Sequence, residues 1–119
     1  PAIEEAFVKQ GRDEVERPPR PHFPISEGTT EGTALVMAAA IHGASTFTTK
    51  VATVHESNPE KGLPTVRAQV HVTDAATGAT LGTMDGSRLT NARTGCIGGL
   101  SARDLAPTGP VRVGVEPTV

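Results

Sequence analysis

A chain of 119 residues has room for one ordinary domain. With 3 Phe, no Trp and no Tyr, its core must come from small and β-branched side chains, which suits a sheet better than a helical bundle and keeps that core thin. A net charge of -2 with the signs interspersed, no basic run and no aromatic stacking platform speaks against nucleic acid as a partner.

The chain opens at Pro1, without Met, and its start reads as cut. Ile3, Ala6, Phe7 and Gln10 recur at helical spacing and Gly11 is a suitable stop, which predicts the end of an amphipathic helix. Residues 12–17 are charged, and Pro18, Pro19, Pro21 and Pro24 then impose an extended path. Residues 27–32 read as an exposed turn. The small apolar run 33–41 predicts a buried strand, with a short helix as the alternative, and 47–55 predicts a second strand. Residues 58–62 read as a loop.

Over 65–73 the alternation is clean. Val66, Ala68, Val70 and Val72 face one way, and Thr65, Arg67, Gln69, His71 and Thr73 the other, as in a half-buried strand. Turn chemistry at 74–78 joins it to a strand over 79–84 as a hairpin. Asp85-Gly86-Ser87 breaks the sheet, and a helix is predicted over 90–105, capped by Ser87 or Thr90. Gly95, Gly98 and Gly99 each weaken such a helix by roughly 1 kcal/mol relative to Ala, which predicts close packing on another backbone or helix ends short of these bounds. Pro107 and Pro110 end it, and 111–115 reads as a last short strand.

Cys96 has no partner for an internal disulfide, fits a reducing compartment such as the cytoplasm, and reads as a small buried filler. No apolar run is long enough to span a membrane, and the start does not resemble a signal segment. His22, His42, His55 and His71 never fall at metal-ligand spacing with one another or with Cys96, so no metal site is expected. There is no G-x-S-x-G elbow, no phosphate-binding Walker sequence and no complete G-x-G-x-x-G.

Three basic residues stand out by context. Arg20 follows the stiff pair Pro18-Pro19, Lys50 lies in a strand otherwise made of Thr, Val, Ala and Phe, and Arg93 with Thr94 falls in the first turn of the predicted Gly-rich helix. A guanidinium, an ammonium and the positive end of a helix, if they converge, make a pocket for a carboxylate. The plainer readings are a lysine guarding a wet sheet edge and arginines that are simply exposed.

The stretch Lys61-Gly62-Leu63-Pro64-Thr65-Val66, then residues 74–78, Met84-Asp85-Gly86 and Leu89-Thr90-Asn91-Ala92-Arg93-Thr94 resembles the ornithine cyclodeaminase/mu-crystallin family. Pro18-Pro19-Arg20 and Leu35-Val36-Met37 carry the same resemblance, in the same order, across nearly the whole chain. The resemblance implies two domains, one for substrate and dimerisation and a Rossmann domain for NAD or NADP. It implies that Arg20, Lys50 and Arg93 hold an amino-acid carboxylate and neighbouring atoms. Lys50 would also stay near the reacting carbon as a catalytic group, and Thr65, Arg93 and Thr94 would touch the dinucleotide. The implied chemistry is hydride removal from the α-carbon, imine formation and cyclisation with loss of ammonia, or in relatives the reduction of cyclic ketimines or the oxidation of alanine.

The sequence departs from that pattern in two places. Gly114-Val115-Glu116-Pro117 stands where G-x-G-x-x-G/A is expected, and a Glu there sets a side chain and a negative charge against the pyrophosphate. Gly95-Cys96-Ile97 replaces a run of alanines, and the family's catalytic aspartate, which the resemblance places in the second domain, has no counterpart. The expected fold is therefore α+β, a mixed sheet with flanking helices. Residues 1–110 form the substrate-binding and dimerisation domain, and 111–119 the first strand of a missing or degenerate dinucleotide-binding domain. The expected function is that part of an NAD(P)-dependent enzyme acting on an amino acid or cyclic imine, with no dinucleotide held by this chain alone. A homodimer is expected, because a thin core gains most from a shared sheet face. The alternative is a non-catalytic module that binds an amino-acid-like carboxylate or only dimerises.

Overall fold

The structure is a computed structural model and describes residues 1–110. Its chain runs α1 (Ala2–Gly11), β1 (Val15–Glu16), β2 (His22–Glu27), β3 (Thr30–Ile41), β4 (Thr46–Val54), a single 3-10 turn (Asn58–Lys61), β5 (Val66–Asp74), β6 (Thr80–Asp85) and α2 (Gly86–Leu105). The strands make one sheet in the order β1-β3-β4-β5-β6, with β2 also on the outer edge of β3, and every pairing is antiparallel. This is the expected α+β architecture with a helix at either end.

Local chemistry explains the turns. One carboxylate oxygen of Asp74 accepts from the amides of Thr77 and Ala76 at 2.8 and 2.9 Å and from the Thr77 hydroxyl at 2.9 Å, folding β5 back onto β6. The Thr77 amide foremost, then its hydroxyl and the Ala76 amide, hold the Asp74 carboxyl below its ordinary value. The exposed turn predicted over 27–32 shrinks to a two-residue connection. Gly28 takes φ 61° as its first residue, the geometry that lets β2 and β3 pair without splaying. Pro24 is accommodated within β2 because that strand pairs on one side only.

The helix after β6 also differs from expectation. It begins at Gly86, four residues ahead of Thr90, and its cap is neither Ser87 nor Thr90 but Asp85, whose carboxylate accepts from the Ser87 amide at 2.7 Å. Arg93 and Thr94 are thus about two turns inside α2, not in its first turn. Gly95 and Gly99 meet nothing, so the close approach predicted for them is absent; it is made instead by Gly86. Cys96 is exposed on this helix and not a buried filler. The predicted strand at 111–115 lies outside the described residues.

Opposed residues of an antiparallel sheet share a face. Met37, Lys50, Val70 and Met84 therefore line up across β3 to β6, with Leu35, Ala52 and Ala68 in the neighbouring row. The face that carries Val66, Ala68, Val70 and Val72 takes α2, which packs chiefly on β5. Among the described residues the buried apolar side chains are Ala52 and Val70 on this face and Ala34 on the other. The core is as thin as the composition requires. α1 buries no residue and leans on α2, where the Arg103 guanidinium reaches Glu4 at 2.9 Å.

Gly86 sets the closeness of that packing. A Cβ on it would stand 2.9 Å from the Ala68 Cβ and 3.2 Å from its carbonyl carbon. Gly86→Ala must lift the start of α2 off the sheet and is expected to destabilise by about 1–3 kcal/mol. Gly95→Ala, with open space around it, should stabilise by up to about 1 kcal/mol. Paired urea unfolding curves check both, and equal effects would contradict the packing described.

Candidate functional site

Lys50 stands in the middle of β4 on the face that α2 covers, between Met37 and Val70. Its Nζ donates to the Thr90 hydroxyl of α2 at 2.5 Å. Thr90 in turn donates to the Gly86 carbonyl at 2.7 Å, and Thr94 to the Thr90 carbonyl at 2.8 Å. Arg20 precedes β2, whose His22 opposes Leu35, and the Pro21 carbonyl accepts from the Val36 amide. Continuing that register puts Arg20 level with Met37, the neighbour of Lys50. Arg93 lies on α2, one helical step beyond Thr90 on the same side, and is exposed.

The charges of Arg93 and Arg20 are both felt at Lys50. Burial foremost, then the charge of Arg93 and then that of Arg20, push the Lys50 amine below the ordinary lysine value. Three cations from β4, α2 and the segment before β2 thus share one region, and among the described residues none has a carboxylate partner. Such a cluster repels itself and favours an anion that can bridge its members. The part of the expected pocket that fails is the helix start: Arg93 lies too far along α2 for the N-terminal amides to act beside it.

The predicted dinucleotide contacts Thr65, Arg93 and Thr94 come from two elements, the segment leading into β5 and α2. Thr65 lies at the head of β5, where its carbonyl accepts from the His55 amide at 2.8 Å, and no hydrogen bond among the described residues joins it to Arg93 or Thr94. The Thr94 hydroxyl spends its proton within the helix. Sequence reasoning missed Thr90 as a site residue; its place three residues before Arg93 on one helix was the available signal. A groove of about 740 Å³ lies apart from the cations, lined among others by Thr53, His55, Arg67, Gln69, Asp85 and Ser87. Among the described residues there is no group of three or more His, Cys, Asp or Glu placed to hold a metal, and no helix long and apolar enough to cross a membrane.

Known proteins share both sequence and fold. The alanine dehydrogenase of Archaeoglobus fulgidus is 34% identical over 105 residues, 88% of this chain and 31% of that protein. The Delta(1)-pyrroline-2-carboxylate reductase of Thermococcus litoralis, solved with NADH and L-proline, superposes with a TM-score of 0.74 at 29% identity, over 86% of this chain and 31% of its own. An archaeal alanine dehydrogenase, solved as a dimer with bound NAD, gives a TM-score of 0.72 at 31% identity, over 86% of this chain and 30% of its own. The chain spans about a third of the length of these relatives. Residues 1–115 match the ornithine cyclodeaminase/mu-crystallin family as a whole, and this chain belongs to that family.

Proposed function

We propose that this chain is the substrate-binding and dimerisation part of an NAD(P)-dependent enzyme that acts on an amino acid or a cyclic imine. The observation that supports this reading is Lys50 on the α2 face of the sheet, bonded to Thr90 and within reach of the charges of Arg93 and Arg20. The two guanidiniums are the planar donors suited to the substrate carboxylate, and Lys50 is the group to hold or move a proton at the substrate nitrogen or α-carbon. The solved relatives hold NADH with L-proline, or NAD, which gives the reading its substrate class.

The fit to a dinucleotide is partial. Exposed Arg93 suits a phosphate or the nicotinamide amide, but the Thr94 hydroxyl is committed to Thr90 and offers no donor, and no glycine-rich turn occurs among the described residues. When bound, the dinucleotide supplies or accepts the hydride at the α-carbon; this chain supplies the anchoring of the carboxylate and the proton at Lys50. Turnover of L-alanine, L-proline, L-ornithine and cyclic ketimines with NAD(H) and NADP(H), by this chain joined to a dinucleotide-binding domain and followed at the nicotinamide absorbance, tests the reading. Reaction with at least one is expected, and none with any would refute it.

Apolar residues on the other side of the sheet support the dimer reading. Val51 and Phe23 are apolar residues on the face opposite α2, left at 39% and 47% exposure. Val51→Asp on that face should convert a dimer into monomers by light scattering. A dimer unchanged by it would place the interface elsewhere. A second reading, a carboxylate-binding module without catalysis, is favoured by Glu116 at the position where a glycine is expected. Amino-acid binding without turnover would select it.

A further inference from the structure

We infer that Thr90 is a positioning residue for Lys50: its hydroxyl oxygen fixes the amine on the α2 face of the sheet, while its proton stays tied to the Gly86 carbonyl. A threonine inside a helix commonly bonds back four residues, and here that ordinary bond, 2.7 Å to Gly86, has a chemical consequence. With its proton spent, the Thr90 oxygen can only accept. It takes one N–H from Lys50 whether the amine is charged or neutral, since both forms are donors. A hydroxyl free to turn could instead donate to a neutral amine and occupy its lone pair. Thr90 cannot, so a neutral Lys50 keeps its lone pair for a proton at the site.

The tether has a fixed foundation. Gly86 lies against Ala68 with no space for a Cβ, which sets the height of the Gly86 carbonyl above β5. The Thr94 hydroxyl repeats the back-bond one turn on, to the Thr90 carbonyl at 2.8 Å. Around the amine, α2 contributes Arg93, the segment before β2 contributes Arg20, and the facing residues of β3 and β5 are the uncharged Met37 and Val70. Thr90 is the acceptor that Lys50 meets in this setting. The inference deepens the proposed function and rests on it for the role of Lys50, but its test needs neither substrate nor turnover.

The ligand-free protein is titrated by NMR at the lysine 13Cε resonances, with Lys50 assigned as the signal lost in Lys50→Arg. Removing the acceptor in Thr90→Val should raise the neutral-to-charged ratio of Lys50 at a fixed pH about tenfold, because the lost bond favours the charged amine. Thr90→Ser, which keeps the oxygen, should titrate with the wild type. Thr90→Ala replaces the valine variant if the latter does not fold. Coincident curves for wild type and the valine or alanine variant would overturn the inference, as would a serine variant that shifts with them. Failure of amino-acid binding would leave these curves unchanged, so the two readings fail separately.

Discussion

Arg93→Ala is expected to weaken binding of an amino-acid carboxylate by roughly 10²-fold, the loss of a charge-assisted, two-pronged contact. Arg93→Lys should recover little of it, because an ammonium cannot reproduce the planar fork. The dimer should survive both changes, since Arg93 is exposed on α2, on the covered side of the sheet and away from Val51 and Phe23. Calorimetric titration with L-alanine and L-proline beside light scattering reads both outcomes. Unchanged affinity would remove Arg93 from the site, and loss of the dimer would show that its role is structural.

The second large effect belongs to Lys50. Lys50→Met is expected to lower turnover by about 10²–10⁴-fold, the usual worth of a positioned acid or base, while the fold persists. The electrostatics fix the pH behaviour. Burial, Arg93 and Arg20 all act against the charged amine, so its folded value lies below the unfolded one. Folded protein then binds fewer protons, and stability rises as pH climbs from the folded value towards the unfolded one. In Lys50→Met that rise disappears. A bound carboxylate favours the charged amine, so binding should take up protons and weaken as pH rises through the Lys50 transition. Calorimetry in two buffers of different ionisation enthalpy measures the uptake, and identical heats in both would contradict it.

Much of the sheet was legible because its strands are half-buried. The alternation at Val66, Ala68, Val70 and Val72 survives intact in β5, and the Asp74 turn that follows behaves as its residues require. The pairing of β2 was hidden by Pro24, which argues for a loose extended segment unless the strand is known to lie at an edge; Gly28-Thr29 was the signal that a hairpin closes there. The start of α2 was misplaced because Gly86 is a poor helix former, and only its contact with Ala68 shows why a glycine must stand at that point.

The site divides in the same way. Residue types alone singled out Arg20, Lys50 and Arg93, but where Lys50 stands relative to the other two depends on register. The pairing of Met37 with Lys50, and the path of Arg20 beside Met37, follow from turns at both ends of β3 that no local pattern specifies. Thr90 was hidden for a further reason. Its part lies in a hydroxyl whose proton and lone pairs have different partners, and that becomes visible only when α2 is seen over Lys50.

In the proposed function Arg20, Lys50 and Arg93 together receive an amino-acid carboxylate. A crystal structure of the protein with L-alanine or L-proline and NADH tests it most directly. The carboxylate is expected to bridge the two guanidiniums, with the substrate nitrogen or α-carbon beside the Lys50 amine. An amino acid seated elsewhere, with the three cations facing only solvent, would contradict it.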